Sequence, residues 1–404
     1  MLNTESVRVL LLEGIHPDAA ARLSAEGHRV ETADRALDTD ELIARLDGVA
    51  LLGIRSKTDV SAAALAAAPD LVAIGAFCIG TEQIDLTAAA RSGVAVFNAP
   101  FSNTRSVVEL ALAEIIALTR RLTDKNTAMH AGIWDKAADG SHEVRGRHLG
   151  IVGYGNIGTQ LSVLAENLGM TVYFYDTADR LALGNARRCT SLDELLEVSD
   201  IVTLHVDGRA GNSGFFGTDQ FARMRPGSLF LNLSRGFVID HAALRTHLDS
   251  GHLAGAAVDV FRTEPKGRGD EFSSELRGLP NVILTPHIGG STEEAQADIG
   301  SFVAEKLHRY VADGATTLSV NLPPLALPLH PGAHRLALVH HNVPGVLAAV
   351  NSILAEHAVN VEGQLLGTSG EFGYLLTDIG RDYPADVLAR LRAMTQAIRL
   401  RVLS

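Results

Sequence analysis

The sequence predicts an α/β protein: two doubly wound domains with parallel sheets, then a small C-terminal domain of βαββαβ order. Three observations carry that expectation. Short apolar runs alternate with helical stretches through most of the chain, the pattern of parallel strands joined by crossover helices. A long apolar helix and an irregular stretch separate two such series. From about His334 the order changes to strand, helix, two strands, helix, strand, which is the ferredoxin-like plan.

In the first series, VRVLLLEG, VALLGIRS, LVAIGAFC and VAVFNAP read as strands, with HPDAAARLSAEG and DTDELIARLDG as helices between them. From about Ser106, SVVELALAEIIALTR reads as a long apolar helix, and an irregular stretch carrying Trp134 follows. The second series has the strands HLGIVG, TVYFYD, DIVTLHV, GSLFLNLS, AGAAVDVF and NVILTPH, enough for two βαβ-type halves. A helix is expected from about Glu293 to Asp313, and then VNLPPLALPLHPG, whose prolines mark an extended linker or domain edge. In the last part, HRLALVHH and AIRLRVL are the outer strands of the βαββαβ order. PGVLAAVNSILAEH and PADVLARLRAM are its helices, and VNVEGQLLGT with EFGYLLTDI forms a hairpin.

Composition narrows the function classes. The 404 residues are 46% hydrophobic and 20% charged, the balance of a globular protein of several domains. The formal net charge of −12 disfavours a general role on nucleic acid or membrane surfaces, both of which need basic patches. It leaves room for an anionic substrate held by a few local cations. No apolar run is long enough for a transmembrane helix. MLNTESVRVLLLEG has no basic n-region and reads as a first strand, not a signal peptide. Cys78 and Cys189 lie far apart outside any CxxC pattern, which favours a cytoplasmic setting without a disulfide framework. Cys78, in AIGAFCIG, reads as packing.

Gly153-Tyr154-Gly155-Asn156-Ile157-Gly158 fits G-x-G-x-x-G after a strand and at the opening of a helix, the context that makes the motif a dinucleotide site. The first Gly serves the tight turn, the second the approach to a pyrophosphate, and the third close helix–strand packing. The helix N-terminus offers unpaired N–H groups to the phosphates. The next strand ends in Asp176, placed to accept from the adenosine ribose hydroxyls and to repel a 2′-phosphate. NAD is therefore the expected cofactor. No metal site is expected.

Doubly wound sheets bind ligands at the carboxyl ends of their strands. Those ends carry His205, then Ser234 and Arg235, then Asp259 with Glu264 beyond, then His287 followed by Ile288-Gly289-Gly290. Hydride transfer to or from a 2-hydroxy acid needs a group that moves a proton near neutrality, which suits His287. It needs a carboxylate to orient the imidazole and raise its pKa, which suits Glu264. It also needs a guanidinium that grips the substrate carboxylate with two hydrogen bonds, which suits Arg235.

At these residues the sequence resembles the D-isomer-specific 2-hydroxyacid dehydrogenases, in VGYGNIG, LNLSRGFVID, AGAAVDVFRTEP and NVILTPHIGGST, in the right order and spacing. The resemblance implies the same roles for Arg235, Glu264 and His287. It also implies NAD contacts at Gly153, Gly155, Asn156, Ile157, Gly158, Asp176, His205, Leu233, Ser234, Arg235, Asp259, His287, Ile288, Gly289 and Gly290. IGAFCIGTEQIDL, VFNAPFSNTRSVVEL and the C-terminal βαββαβ unit look like the bacterial branch that oxidises 3-phosphoglycerate and carries one regulatory ACT domain. That branch implies the first step of L-serine synthesis, feedback inhibition by serine, reduction of 2-oxoglutarate in some members, and a homotetramer.

By the same resemblance, Arg55, Ser56 and Lys57 stand for the substrate-phosphate segment, with Lys57 where the family typically has Arg. Lys136 is a further candidate cation. His340, Asn342 and Asn360 match the family's serine contacts, and His341 stands where close relatives carry an acid. Asp207 replaces the proline common after His-Val, and a modest effect on that loop is expected. The expected domains are a discontinuous substrate domain, 1–103 and 291–330, a Rossmann NAD domain, 104–290, and the ACT domain, 331–404. Two other readings compete: a D-2-hydroxyacid dehydrogenase for glyoxylate, lactate or 2-hydroxyglutarate, and a non-catalytic NAD-sensing binding protein. The full Arg/Glu/His set speaks against the second.

Overall fold

The computed structural model describes residues 6–265, 269–330 and 332–403. Residues 1–5, Pro331 and Ser404, which fall at the limits of the expected domains, lie outside the described residues. The chain divides into two compact units, residues 1–102 with 296–404, and residues 103–295.

The first unit holds a parallel sheet in the order β2-β1-β3-β4-β5, made of β1 (Arg8–Leu11), β2 (Arg29–Thr32), β3 (Leu51–Ile54), β4 (Ala73–Ala76) and β5 (Ala95–Asn98). Helices α1 (Pro17–Ala25), α2 (Thr39–Arg45), α3 (Ala62–Ala66) and α4 (Leu86–Arg91) connect them. β3, β4 and β5 are buried at every position, which is why they read as unbroken apolar runs. β2 was not expected. It is an edge strand of sequence RVET with little burial, so it carries no apolar signature. The short Ala-rich α3 and α4 were also missed, although Ser61 and Asp85 cap their first turns through bonds from Ala64 N and Ala88 N.

The same unit contains an antiparallel sheet in the order β14-β15-β13-β16, from β13 (His334–His341), β14 (Val361–Ser369), β15 (Phe372–Ile379) and β16 (Ala397–Leu403), with α12 (Val346–Glu356) and α13 (Ala385–Arg392). This is the βαββαβ plan that the sequence predicts. Leu336 and Leu338 of β13 pack under these two helices with Val350, Leu354 and Leu391. The intervening Ala337 and Val339 join Tyr374, Leu376 and Phe97 in a second core. Alternation along the strand thus buries both faces. Val303, Leu307 and Tyr310 of the long helix α11 (Glu293–Asp313) belong to that second core. The C-terminal sheet therefore shares a core with the N-terminal one and does not stand as a separate body.

The proline-rich segment between α11 and β13 forms no helix or strand among its described residues and is tied down. Arg335, 2% exposed, forms a two-point bond with Asp378 at 2.6 and 2.7 Å. It spends its remaining donors on the carbonyls of Asp313, Leu327 and Pro328 at 2.8–2.9 Å.

The second unit holds a parallel sheet in the order β12-β11-β10-β9-β6-β7-β8. Its strands are β6 (His148–Val152), β7 (Thr171–Tyr175), β8 (Arg187–Arg188), β9 (Ile201–Leu204), β10 (Ser228–Asn232), β11 (Leu253–Val258) and β12 (Val282–Leu284). Its helices are α5 (Thr104–Thr119), α6 (Leu122–His130), α7 (Asn156–Asn167), α8 (Leu192–Val198), α9 (Thr218–Arg223) and α10 (His241–Asp249). From β8 to β11 this is the doubly wound order 3-2-1-4-5-6, with β12 added at one edge. The winding reverses between β6 and β9, the switch point where such folds bind ligands. β8 was not expected, because two arginines at a sheet edge give no apolar pattern. Among the described residues no helix is long and apolar enough to cross a membrane.

Candidate active site

The cofactor loop sits at the switch point of the second unit. Gly153, after β6, has φ 92°, and a Cβ there would come within 2.5 Å of the His205 carbonyl at the end of β9. A Cβ at Gly158 would meet the Gly153 carbonyl at 2.4 Å. Gly155 faces open space, and it starts α7 with no side chain bonded to the helix N-terminus. The first-turn N–H groups, including those of Asn156 and Ile157, are thus left to an anion. Asp176, just beyond β7, accepts from Tyr154 N and Ala178 N, both at 2.8 Å. It lines a cavity of about 400 Å³ with Tyr175, Thr177, Arg188, Cys189 and Thr190.

Two arginines border that acid, which the sequence did not reveal. Arg180 stands 3.5 Å from Asp176, and Arg188 is paired with Asp179. The residues present fit a dinucleotide: an open glycine turn, an uncapped helix start, and an acid beside a cavity.

At the far side of the switch point, His205 accepts or donates a bond with Thr203 Oγ1 at 3.0 Å, and burial lowers its pKa to about 4. It is a neutral ring near neutrality and no acid for the reaction. Asp207 bonds Arg209 twice and Asn212 through its side chain. Arg209 and Asn212 thereby secure the loop around Asp207.

β10, β11 and β12 deliver the remaining groups. Ser234 donates to Asn232 Oδ1 at 2.7 Å, and Asn232 Nδ2 donates to the Arg235 carbonyl at 3.1 Å, so the turn after β10 is locked by its own side chains. Leu233 and Ser234 are buried; Arg235 is half-buried and its Nη1 donates to the Ser234 carbonyl at 2.9 Å. A Cβ at Gly236 would strike the backbone of Phe261, which shows how closely the ends of β10 and β11 approach.

His287 and Glu264 meet directly: Nδ1 of His287 lies 2.8 Å from Glu264 Oε2. Glu264 Oε1 also accepts from Phe261 N at 3.0 Å. Hydrogen bonding to Glu264 raises the His287 pKa above its ordinary value, against burial and the charge of Arg235. Burial pushes Glu264 up, but its bond to His287 and the charges of His287 and Arg235 outweigh that and lower its pKa. His287 has φ 55°, a left-handed conformation that is rare for a non-glycine residue.

Asp259 stabilises that unusual turn. Its backbone carbonyl accepts from His287 N at 2.8 Å. Its Oδ1 accepts from Thr285 Oγ1 at 2.7 Å and Ile288 N at 2.8 Å, and its Oδ2 from Gly289 N at 2.8 Å. Asp259 is 1% exposed, so its carboxylate is committed to the loop of His287. Behind it on α5 lies Glu114, buried, which the sequence reading passed over. The signal was present: Val107, Ala111, Glu114 and Leu118 share one buried helical stripe, and an acid on such a stripe asks for a reason.

Lys136 is exposed in the irregular stretch after α6 and is not part of this cluster. Arg55, Ser56 and Lys57 follow β3 in the first unit, at the carboxyl end of its sheet. Glu13, at the end of β1, accepts from Lys57 N at 3.0 Å and Thr58 N at 2.8 Å, and Gln83 Nε2 donates to the Arg55 carbonyl at 2.5 Å. Neither Glu13 nor Gln83 was singled out from the sequence.

His340 is 2% exposed, with its ring against Gly373 of β15 and Nδ1 bonded to the His341 carbonyl at 2.8 Å. Asn342 Nδ2 donates to the Gly370 carbonyl at 3.0 Å, and Asn360 is exposed just before β14. The structure brings His340 and Asn342 to the β13–β15 end and leaves Asn360 at the start of the neighbouring strand. The two thiols behave as packing groups: burial pushes Cys78 and Cys189 each up to about 11.

Comparison with known proteins adds to this geometry. Residues 112–289 match the family described as D-isomer specific 2-hydroxyacid dehydrogenase, NAD binding domain. Residues 336–399 match the AHAS small subunit-like ACT domain. The chain is 48% identical to D-3-phosphoglycerate dehydrogenase of Escherichia coli K12 over all of its own length and 98% of that protein. It is 46% identical to the enzyme of that name from Dictyostelium discoideum, over 99% of the chain and 98% of the relative.

Among solved structures, D-2-hydroxyisocaproate dehydrogenase superposes with a TM-score of 0.70 at 26% identity, covering 78% of this chain and 100% of that one. The D-lactate dehydrogenase of Aquifex aeolicus, solved with NAD and lactic acid, gives 0.67 at 25% identity over 75% and 95%.

Proposed function

Because this chain belongs to the D-isomer-specific 2-hydroxyacid dehydrogenases, we propose that its reaction is the oxidation of 3-phosphoglycerate to 3-phosphohydroxypyruvate, the first step of L-serine synthesis. It is an NAD-dependent oxidoreductase acting on a CH–OH group. The observation that carries the substrate is its full-length similarity to proteins named for that activity. Arg55 and Lys57 at the β3 end of the first unit suit a substrate bearing a phosphate.

The geometry supports the following roles for the side chains. NAD, when bound at Gly153–Gly158 and Asp176, supplies the hydride acceptor for the substrate C2–H. Arg235 holds the substrate carboxylate with two hydrogen bonds. His287 takes the hydroxyl proton through Nε2, since Nδ1–H is donated to Glu264. Glu264 fixes that tautomer and favours the imidazolium that forms. In the reverse direction, the protonated His287 returns the proton to the oxo group, and reduction of 2-oxoglutarate uses the same arrangement.

The C-terminal ACT domain is the place for a small-molecule effector. Serine is the ligand proposed there, with His340, Asn342 and Asn360 as its contacts. Leu122, Met129, Ile133 and Trp134, along and after α6, are each exposed, which is in keeping with assembly into a homo-oligomer, a tetramer on the family's pattern. The two unpaired cysteines are in keeping with a cytoplasmic enzyme.

The test is a comparison of kcat/KM for 3-phosphoglycerate, D-lactate and D-2-hydroxyglutarate with NAD, each with and without serine. A clear preference for the phosphorylated acid, lost in Arg55→Ala, supports the proposal. Equal or better use of an unphosphorylated acid moves the enzyme to another branch of the family. Failure to turn over any 2-hydroxy acid while binding NADH favours a non-catalytic NAD-binding role.

A further inference from the structure

Glu114 stands out among the buried groups that the reaction does not use. It lies on α5, 3% exposed, and neither carboxyl oxygen makes a hydrogen bond of good geometry; the Thr285 hydroxyl stands near it, but gives its proton to Asp259. An ionised carboxylate in that setting is strongly disfavoured, because no donor replaces the water it has lost. Its neighbours are Asp259 and Thr285, and the Thr285 hydroxyl donates to Asp259 Oδ1. The Asp259 carboxylate holds Thr285, Ile288 and Gly289, and its carbonyl holds His287 N. Glu114 is therefore one residue removed from the backbone that presents the proton-transferring imidazole.

We propose that Glu114 is a positioning residue that stays a neutral carboxylic acid behind Asp259, so that Asp259 alone carries the negative charge that holds the His287 turn. Two neighbouring carboxylates that are both buried cannot both ionise at low cost. If Glu114 lost its proton, the second charge would face Asp259 and compete for the Thr285 hydroxyl that Asp259 uses. The turn of His287, held at φ 55° by those bonds, would then lose part of its support.

Burial, and then the Asp259 charge, push the Glu114 pKa up to about 8, with Thr285 acting the other way. α5 packs against α7, β10, β11, β12 and α6. Of the titratable groups on or just beyond these elements, Asp259 is the one that bears on Glu114. Asp259 in turn faces His287, and its charge is the link between the two.

This inference rests on the proposed dehydrogenase mechanism for its kinetic readout, so the experiment pairs that readout with one needing no substrate. Wild type and Glu114→Gln are compared in the oxidation direction, where His287 must be unprotonated. Its titration then forms the acid limb, and Glu114 ionisation forms the alkaline limb near pH 8. The glutamine, neutral and of the same shape, should rescue the alkaline limb while leaving the acid limb in place.

In parallel, denaturant midpoints are measured from pH 5 to 9. The folded state keeps a proton that the unfolded chain releases, so wild-type stability falls relative to E114Q between the ordinary glutamate range and about pH 8, and levels off above it. The infrared carbonyl stretch of a protonated acid in the wild type, lost above that pH, is a third reading that needs no variant. An unchanged alkaline limb together with parallel stability curves overturns the proposal, as does a wild type with no such carbonyl band at neutral pH. Lack of turnover with 3-phosphoglycerate would overturn the substrate instead, and the stability comparison would still decide Glu114.

Discussion

His287 Nδ1 lies 2.8 Å from Glu264 Oε2, and this bond is what holds the imidazole pKa above its ordinary value. Glu264→Gln keeps the shape and removes the charge, so the His287 pKa should drop. In the oxidation direction, which needs the neutral ring, the acid limb of the kcat/KM profile moves to lower pH. In the reduction direction, which needs the imidazolium, activity is lost at lower pH than in wild type. A pair of pH–rate profiles checks both signs, and limbs that do not move would remove Glu264 from this role.

His287→Ala should lower kcat by roughly 10²–10⁴-fold, the usual contribution of general acid–base catalysis. NADH binding, followed by fluorescence titration, should be nearly unchanged, because the glycine loop and Asp176 are independent of the ring. Near-wild-type turnover would refute the assignment.

Arg235→Lys keeps the charge and loses the planar fork. Lysine cannot make the two parallel bonds to a carboxylate, so kcat/KM should fall steeply for any 2-hydroxy acid. Steady-state kinetics with unchanged kcat and KM would contradict the role given to Arg235.

Gly153→Ala places a Cβ 2.5 Å from the His205 carbonyl at a residue with φ 92°. Both the contact and the backbone angle oppose it. The cofactor loop must shift, and NADH affinity measured by calorimetry should weaken well beyond any loss in overall stability.

Arg335→Met leaves Asp378 buried and unpaired. Breaking a buried pair from one side costs about 3–5 kcal/mol, and three carbonyls lose their donor as well. Denaturant unfolding should show the loss. The double variant with Asp378→Leu should recover part of it, because the stranded charge is then gone.

Much of the site was legible because its chemistry sits at strand ends and in short motifs. The glycine turn after β6, Asp176 after β7, and Arg235, Glu264 and His287 after β10, β11 and β12 are all read from local sequence. What escaped has weak local signals. β2 and β8 are polar edge strands, and α3 and α4 are too short for a clear period. Gln83 and Glu13 act through partners far away in the chain, and Arg188 through an acid nine residues before it that no motif marks. Glu114 was visible as an acid on an apolar stripe, yet nothing near it in sequence names Asp259 as its neighbour.

The sequence by itself indicated most of the element order, the glycine-rich turn and the three ionisable groups at strand ends to which the proposed mechanism gives proton transfer and substrate binding. These depend on local patterns: apolar period, glycine where a turn leaves no room, and polar residues just beyond buried strands. Only the tertiary structure decided that Asp259 is committed to holding the His287 turn, that Glu114 lies buried near Asp259 and Thr285, and that the C-terminal sheet shares a core with the first. Those outcomes depend on which side chains meet after the chain closes on itself. The cost of a buried charge is set by the groups packed around it, and residue spacing along the chain carries no record of that company.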